Sequence, residues 1–356
     1  MCSNNSKLVF FVTGNVLTSA VLTIIVPILV TYYDSLYFIL MMSTLQFCVI
    51  FGVVLAVMTG CKFERPKEIK TLMLSGMFNA GMAVCLIYAA NPKRTPVVIQ
   101  AILSGLVIIP SVLFTKLYLN KKVTYELKYI FISLFTLAVS VYLSLIPVYS
   151  EWTIMSLVWI GIYLLGVTSR SAFSIMQEKY IIDTKDNTLL NKIVIVFYSR
   201  IFQFLTMLPL FLLEFVIGYK ERPFDAFYSS MQTFVNDSTA GLLLEFFVLI
   251  YLLSYVVAVY LNAISTNYNM VSTIVTNPLA VVFFTIFSDL NPGKKYPLYI
   301  VISTIILSMT TVIFWVKGEK KEDYVQIDDK ENLNEPYQLG EGHNDHPKDN
   351  KLKNIV

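Results

Sequence analysis

The sequence predicts an all-α polytopic membrane protein: ten transmembrane helices in a five-plus-five inverted repeat, followed by a disordered C-terminal tail. Three observations predict this fold class. Apolar stretches of about 20 residues, the length that crosses a bilayer as a helix, follow one another from residue 8 to residue 316. The composition is 56% hydrophobic and 14% charged, whereas soluble domains are about 25% charged. The two halves of the apolar region also share a proline and lysine pattern.

Short polar hinges divide the apolar region into its predicted helices. The predicted spans are 8–33, 36–60, 71–91, 95–118, 128–149, 152–178, 191–218, 241–263, 267–289 and 296–316. Asn262, Ser265 and Asn267 mark the hinge between spans eight and nine, where charge is missing. The corresponding domains are a short N-terminus (1–7), a first repeat (8–149), a second repeat (150–316) and a tail (317–356). The tail is too polar to bury a core, so we expect it to be disordered.

The distribution of lysine and arginine predicts that both termini face the cytoplasm. Between residues 7 and 321, fifteen of these residues lie in or beside the terminal segments and the hinges after even-numbered spans, and six lie in the other hinges. Basic residues are enriched in cytoplasmic loops, which sets the orientation. In the tail, the sequence Tyr324-Val-Gln-Ile has the form of a tyrosine-based endolysosomal sorting signal. We therefore expect a vacuolar or endolysosomal membrane.

The proline and lysine pattern predicts that the halves are related. Pro110 precedes the pair Lys121-Lys122, and Pro278 precedes the pair Lys294-Lys295, each followed by a hydrophobic helix. An odd number of helices per half places the two halves in opposite orientations. Inverted repeats of this kind give many carriers two alternately accessible sides around one central site.

Polar residues within the predicted spans indicate where such a site lies, because an unpaired polar group in hydrocarbon is costly. In span nine, Asn269, Thr273 and Asn277 are four residues apart and share one helix face before a proline. In span four, Gln100 and Ser104 have the same spacing at a comparable place in the other half. Hydrogen bonding between helices is the alternative reading. We favour the interpretation that the two polar faces form opposite walls of a substrate cavity.

Four of the charged residues in the predicted spans bear on function. Arg200 is about 13 Å into span seven, near the midplane, where it can neutralise an anionic group; we group Gln203 with it as a substrate-binding candidate. Arg170 is closer to the cytoplasmic end of its span, and we expect it to reach the headgroups. Glu214 and Glu245 face the non-cytoplasmic mouth. They are proton-coupling candidates, since withdrawal from water generally favours a protonated carboxyl group.

Several segments resemble the drug/metabolite transporter superfamily, in particular its chloroquine-resistance-transporter-like (CRT-like) family. These segments are Thr44–Cys48, Val97–Gln100 with Pro110, Ser169–Tyr180, Tyr198–Gln203 with Leu208-Pro209, and Ser265-Thr266 with Asn277-Pro278. The family's cysteine-bearing loop between spans seven and eight is not matched, since residues 219–240 contain no cysteine. The resemblance implies a vacuolar exporter of small cationic or peptide-like solutes that uses the proton gradient.

These observations together predict a secondary active transporter for amino acids, peptides or organic cations that works by alternating access and is proton-coupled. A nucleotide-sugar or nucleotide exchanger of the Golgi or endoplasmic reticulum is the alternative, and a channel stays open. An enzyme is not expected, because both histidines lie in the tail and the predicted spans hold no paired mid-membrane aspartates. The sequence has no phosphate-binding GxxxxGK[ST] motif, so we expect a gradient rather than ATP to drive transport. The expected partners are a small-molecule substrate, protons and the lipid bilayer, with no nucleic acid. We expect no cofactor or metal, and a monomer or homodimer.

Overall fold

The computed structural model describes most of the apolar region in almost entirely helical form. The described residues are 4–62, 65–91, 94–119, 131–132, 135–136, 138–140, 142–143, 153–212, 214–215, 222–287, 290 and 297–318. Over these ranges no residue is in a β-strand. The prediction of an all-α protein is confirmed for the part of the chain that is described.

Twelve α-helices have both of their ends within the described residues. They are α1 (Asn4–Tyr32), α2 (Leu36–Thr59), α3 (Ile69–Ala89), α4 (Val97–Ser104), α5 (Ile108–Tyr118), α6 (Ile154–Thr184), α7 (Leu189–Leu210), α8 (Pro223–Asn236), α9 (Ser238–Ile264), α10 (Thr266–Ile274), α11 (Asn277–Ile286) and α12 (Leu298–Gly318). A 3₁₀ turn, Gly105–Val107, joins α4 to α5. Residues 275–276 form a turn between α10 and α11. Spans four and nine are therefore each built from two helical segments.

Eight helical segments of the described chain are long and apolar enough to cross a membrane, and Leu298–Thr310 is a shorter apolar helix. The protein is therefore a multi-pass membrane protein, as the hydropathy predicts. Predicted span five (128–149) lies mostly outside the described residues, and so does the tail after Gly318. The count of ten spans and the five-plus-five repeat stay predictions.

The two ends of the helix bundle are named here after residues in their hinges. At the Tyr33 side, α1 and α3 end and α2 and α9 begin; at the Ser265 side, α2 and α9 end and α3 and α10 begin. Ser265 has an extended backbone, and its side chain accepts a hydrogen bond from the Asn267 amide, which caps α10. The break that Asn262, Ser265 and Asn267 predict therefore falls at Ser265.

Two glycines allow α3 to pack closely between α6 and α7. A Cβ atom on Gly76 would lie 2.7 Å from the Ser199 carbonyl oxygen of α7, and one on Gly166 would lie 2.8 Å from Leu86 of α3. A Cβ atom at Gly76 would therefore meet the backbone of α7, and one at Gly166 would meet the Leu86 side chain. Close packing brings Asn79 of α3 within 2.8 Å of Gln203 of α7, to which its amide donates a hydrogen bond.

Helix α8 was not predicted, because residues 219–240 have the composition of a loop. Its buried face carries Ser230, whose hydroxyl accepts a hydrogen bond from the Ser35 amide at 2.8 Å, and Ser229 donates to Asp34 at 2.8 Å. Its exposed apolar residues are Phe224, Tyr228, Met231 and Val235. A short helix with one apolar face is typical of segments that lie in the membrane interface. The helix covers the hinge between α1 and α2, and hydropathy misses it because 14 residues cannot span a bilayer.

Candidate functional site

A cavity lies among the helices, in the half of the bundle that is closer to the Tyr33 side. Helices α1, α3, α4, α6, α9 and the α10–α11 pair contribute most of its wall. Its polar lining residues include Ser19, Thr23, Gln100, Ser104, Arg170, Ser174, Gln203, Asn269, Thr273 and Asn277. Apolar side chains such as Leu22, Val26 and Phe247 line the rest. The cavity can therefore hold a solute that has both polar and apolar parts.

The polar faces predicted in spans four and nine meet at this cavity. The Ser104 hydroxyl of α4 lies 2.9 Å from Oδ1 of Asn277 at the start of α11. Gln100 is held against the chain before α4, since its amide donates to the carbonyls of Ala90 at 2.9 Å and Thr95 at 2.7 Å. The structure thus brings together the candidates from both halves of the chain. Their role in substrate binding stays a prediction.

Asn277 keeps an amide atom available to a ligand. Its Nδ2 is buried without a hydrogen-bond partner among the described residues. The Ser104 hydroxyl has one proton but lies within reach of two acceptors, Asn277 and the Ala101 carbonyl oxygen at 2.7 Å. If the Ser104 hydroxyl donates to the Ala101 carbonyl oxygen, the Asn277 amide takes the flipped orientation. Nδ2 of Asn277 then donates to the Ser104 oxygen, and Oδ1 has no donor. In either orientation one atom of the amide lacks a protein partner in the described chain.

Arg170 lines the cavity, which corrects the expectation that it reaches the headgroups. Helix α6 extends to Thr184, so Arg170 is about 24 Å from one end of the helix and about 21 Å from the other. Its guanidinium donates a hydrogen bond to the Thr273 hydroxyl at 2.9 Å. Among the described lining residues, Arg170 is the one with a charged side chain. Sequence reasoning undervalued it, because hydropathy placed the end of the helix too early.

Arg200 is completely buried and is not part of the cavity wall. Its guanidinium carbon lies 3.8 Å from the ring centre of Tyr255, 4.6 Å from that of Phe47 and 4.9 Å from that of Tyr251. Its Nη1 donates to Oε1 of Gln203 at 2.6 Å. Gln203 and the two tyrosines do line the cavity. The sequence-predicted pair is thus divided, with Gln203 at the wall and Arg200 behind it.

A chain of buried amides closes the Ser265 side of the cavity. We call Asn15, Gln177, Asn262 and Asn269 the amide ladder. Asn15 of α1 donates to Asn269 of α10 at 3.1 Å, Asn269 donates to Asn262 of α9 at 3.0 Å, and Asn262 donates to Gln177 of α6 at 2.8 Å. Sequence analysis identified Asn269 alone of these four as a site residue. The ladder joins four helices through side chains that are all buried.

The helix that carries Asn269 is also held at its first residue. The carboxylate of Glu178 on α6 accepts a hydrogen bond from the Thr266 amide at 2.9 Å. A carboxylate at this position satisfies a free N–H group and complements the positive end of the α10 dipole. Glu178 and the amide ladder therefore fix α10 to α6, α9 and α1 at the same side of the bundle.

The two proton-coupling candidates lie in different environments. Glu214 is buried and accepts hydrogen bonds from the Ser35 hydroxyl, the Tyr37 amide and the Tyr88 hydroxyl at 2.9–3.2 Å. Glu214 thus connects the α1–α2 hinge and the start of α2 to α3. Glu245 is on the exposed face of α9, where it accepts a hydrogen bond from Gln46 at 2.8 Å. Within the described ranges, no three His, Cys, Asp or Glu side chains group to hold a metal ion.

Comparisons with known proteins add information on the fold only. No family model matches the sequence, and the search of curated proteins gave no match. Thirteen chains of solved structures match the fold. One of them, whose title reads "Crystal structure of protein", aligns with a TM-score of 0.52 and 12% sequence identity over 88% of this chain and 99% of that chain. A likeness at this identity shows that the fold has a precedent and leaves function to be argued from the cavity.

Proposed function

We propose that the protein is a secondary active transporter that moves small solutes across a vacuolar or endolysosomal membrane by alternating access. The observation that carries the proposal is the meeting of two interrupted spans, α4–α5 and α10–α11, at one cavity. Discontinuous helices with their binding groups near the midplane are typical of carriers built from inverted repeats. The contact between Ser104 and Asn277 lies between the two interruptions. This geometry supports a ten-helix, five-plus-five inverted repeat.

The amide ladder supplies the closed side that alternating access requires. In this arrangement the cavity lies between the ladder and the Tyr33 side of the bundle. Opening of the Ser265 side requires α10 to separate from α1, α6 and α9, which breaks hydrogen bonds that side chains can re-form. A ladder of amides suits such a gate, since each amide both donates and accepts and can be satisfied by water when the gate opens.

The proposal includes coupling to protons and an orientation with both termini in the cytoplasm. Glu245 is the better coupling candidate, since one amide contacts it, whereas three donors hold Glu214 in place. The excess of basic residues on the Ser265 side supports the orientation. A nucleotide-sugar exchanger is less well supported. Its substrate carries two phosphate groups, and Arg170 is the one cationic side chain among the described lining residues that could balance their charge.

The test is uptake by purified protein in liposomes with an acidic interior. The panel contains a basic amino acid, N-acylated amino acids, short peptides, a cationic drug and a nucleotide sugar. Saturable uptake of at least one solute, lost when the pH gradient is dissipated and reduced by Glu245→Gln, is the expected result. Linear flux that does not saturate would indicate a channel. Uptake of the nucleotide sugar alone, independent of pH, would favour the exchanger.

A further inference from the structure

The charge of the cavity selects against the cationic solutes that the family resemblance implies. Arg170 is the charged side chain among the described lining residues, and no carboxylate is among them. A cationic solute would meet a fixed positive charge in a region of low dielectric constant, with no acidic group to compensate it. An anionic solute would be attracted by the same charge.

The guanidinium of Arg170 has donors that remain free for such a solute. A guanidinium carries five N–H donors in a planar fork. Thr273 accepts one hydrogen bond at 2.9 Å, and Arg170 forms no ion pair with a carboxylate of the described chain. Thr273 also fixes the orientation of the fork, because its own hydroxyl donates to the Asn269 carbonyl oxygen at 3.0 Å. A planar fork that is held at one edge matches the two oxygens of a carboxylate.

A single arginine also limits the charge of the solute. A monoanion would form a neutral pair with Arg170, whereas a phosphate or diphosphate would leave a net negative charge inside the membrane. Uncompensated charge in that environment is strongly disfavoured. The cavity therefore suits one carboxylate.

The neighbours of Arg170 indicate what the rest of the solute contains. Asn277 follows Thr273 by four residues, across the turn at residues 275–276, and one atom of its amide has no partner in the described part of the protein. Both residues line the cavity. An amide pairs best with another amide, which offers both a donor and an acceptor. Leu22, Val26 and Phe247 form an apolar surface in the same cavity.

On the basis of the proposed carrier function, we propose that the substrate is a small solute with one carboxylate, a neighbouring amide and an apolar side chain. This is the chemistry of an N-acylated amino acid. Arg170 binds the carboxylate, Asn277 the amide, and the apolar wall the side chain. Thr273 is a positioning residue, because it acts on the substrate through Arg170.

The experiment measures equilibrium binding to the purified full-length protein with three probes of similar size. They are N-acetylphenylalanine (an anion), its carboxamide (neutral) and phenylalanine amide (a cation). We expect the anion to bind about tenfold or more tightly than the neutral probe, since a charge-assisted pair is lost in the latter. We expect the cation to bind most weakly.

Variants separate this recognition from simple loss of structure. Arg170→Gln should remove the preference for the anion, while Arg170→Lys should keep part of it. Thr273→Val should weaken binding of the anion more than that of the neutral probe. Thr285→Val is the matched control, because Thr285 makes the same type of hydrogen bond, to the Val281 carbonyl at 2.7 Å, outside the cavity. Thermal stability of each variant verifies that it is folded.

Three results would overturn the inference: equal binding of the anionic and neutral probes, preference for the cation, or no binding of any probe to the folded protein. A preference for the anion that survives Arg170→Gln would also contradict it. These results are distinct from failure of the carrier proposal, which would be the absence of saturable transport for every solute in the liposome panel. A carrier that transports a cation and does not discriminate among the probes would overturn the substrate class alone.

Discussion

Replacement of Arg200 distinguishes a packing role from a binding role, because the structure encloses its guanidinium between three aromatic rings and Gln203. Each ring contributes about 1 kcal/mol by cation–π attraction, and the charge-assisted hydrogen bond contributes about 2 kcal/mol. Burial of an arginine at the centre of a membrane helix costs about 3 kcal/mol. The favourable contacts exceed this burial cost by about 2 kcal/mol, and Nε and Nη2, which are buried without a hydrogen-bond partner among the described residues, offset that surplus.

This balance predicts different outcomes for two substitutions. Arg200→Met removes both the contacts and the burial cost and keeps most of the volume, so the free energy of unfolding should change by about 2 kcal/mol or less. Arg200→Ala also leaves a cavity, so it should lower the free energy of unfolding by about 4 kcal/mol. Thermal unfolding of the purified variants in detergent measures the difference.

The transport activity of Arg200→Met then decides the role of the arginine. We expect this variant to retain transport, because the guanidinium does not line the cavity. A folded Arg200→Met protein without transport would refute the reasoning, since it would show that the charge itself takes part in the transport cycle. Equal stability of the alanine and methionine variants would contradict the packing argument.

Three further predictions concern packing, the gate and the orientation. Gly76→Ala should lower the thermal stability, since its Cβ would lie 2.7 Å from a backbone oxygen of α7, whereas Gly161→Ala, with open space around it, should not; equal effects would contradict the close packing. Asn262→Leu leaves one buried donor and one buried acceptor of the amide ladder unpaired, and should lower the unfolding free energy by about 2 kcal/mol or more in the same assay. Unchanged stability would contradict a stabilising role for the amide ladder. In a secretory-pathway host, Asn236 of the sequon Asn236-Asp237-Ser238 should carry a glycan that Asn236→Gln abolishes, and a lack of glycan would argue against a luminal Tyr33 side.

Hydropathy predicts the end of a helix well where the helix ends with its apolar stretch, and less well where charged residues continue the helix. Helix α2 ends at Thr59, within one residue of the predicted boundary. Helix α6 continues to Thr184, past the predicted end at residue 178. Its last turns contain charged residues, including an ion pair of Lys179 with Asp183 at 3.1 Å. Such a pair, four residues apart, stabilises a helical segment that hydropathy does not identify.

In the candidate site, features that depend on spacing along one helix could be predicted, and features that depend on packing between helices could not. Gln100, Ser104 and Asn277 could be predicted, because polar residues four apart define a helix face and the predicted repeat relates the two faces. The sequence could not predict that Arg170 lines the cavity and that Arg200 lies behind its wall. Depth in the membrane follows from the position of a residue along its helix, but the direction that its side chain faces depends on which helices pack around it.

The most direct test of the central claim is exchange across a liposome membrane. Liposomes that contain the purified protein are loaded with unlabelled N-acetylphenylalanine and diluted into a trace of the labelled compound. A carrier that alternates around one site should accumulate label transiently above its equilibrium level, and Asn277→Ala should reduce this accumulation while Thr285→Val should not. Label that only equilibrates, or accumulation that Asn277→Ala leaves unchanged, would contradict a carrier whose substrate binds in this cavity.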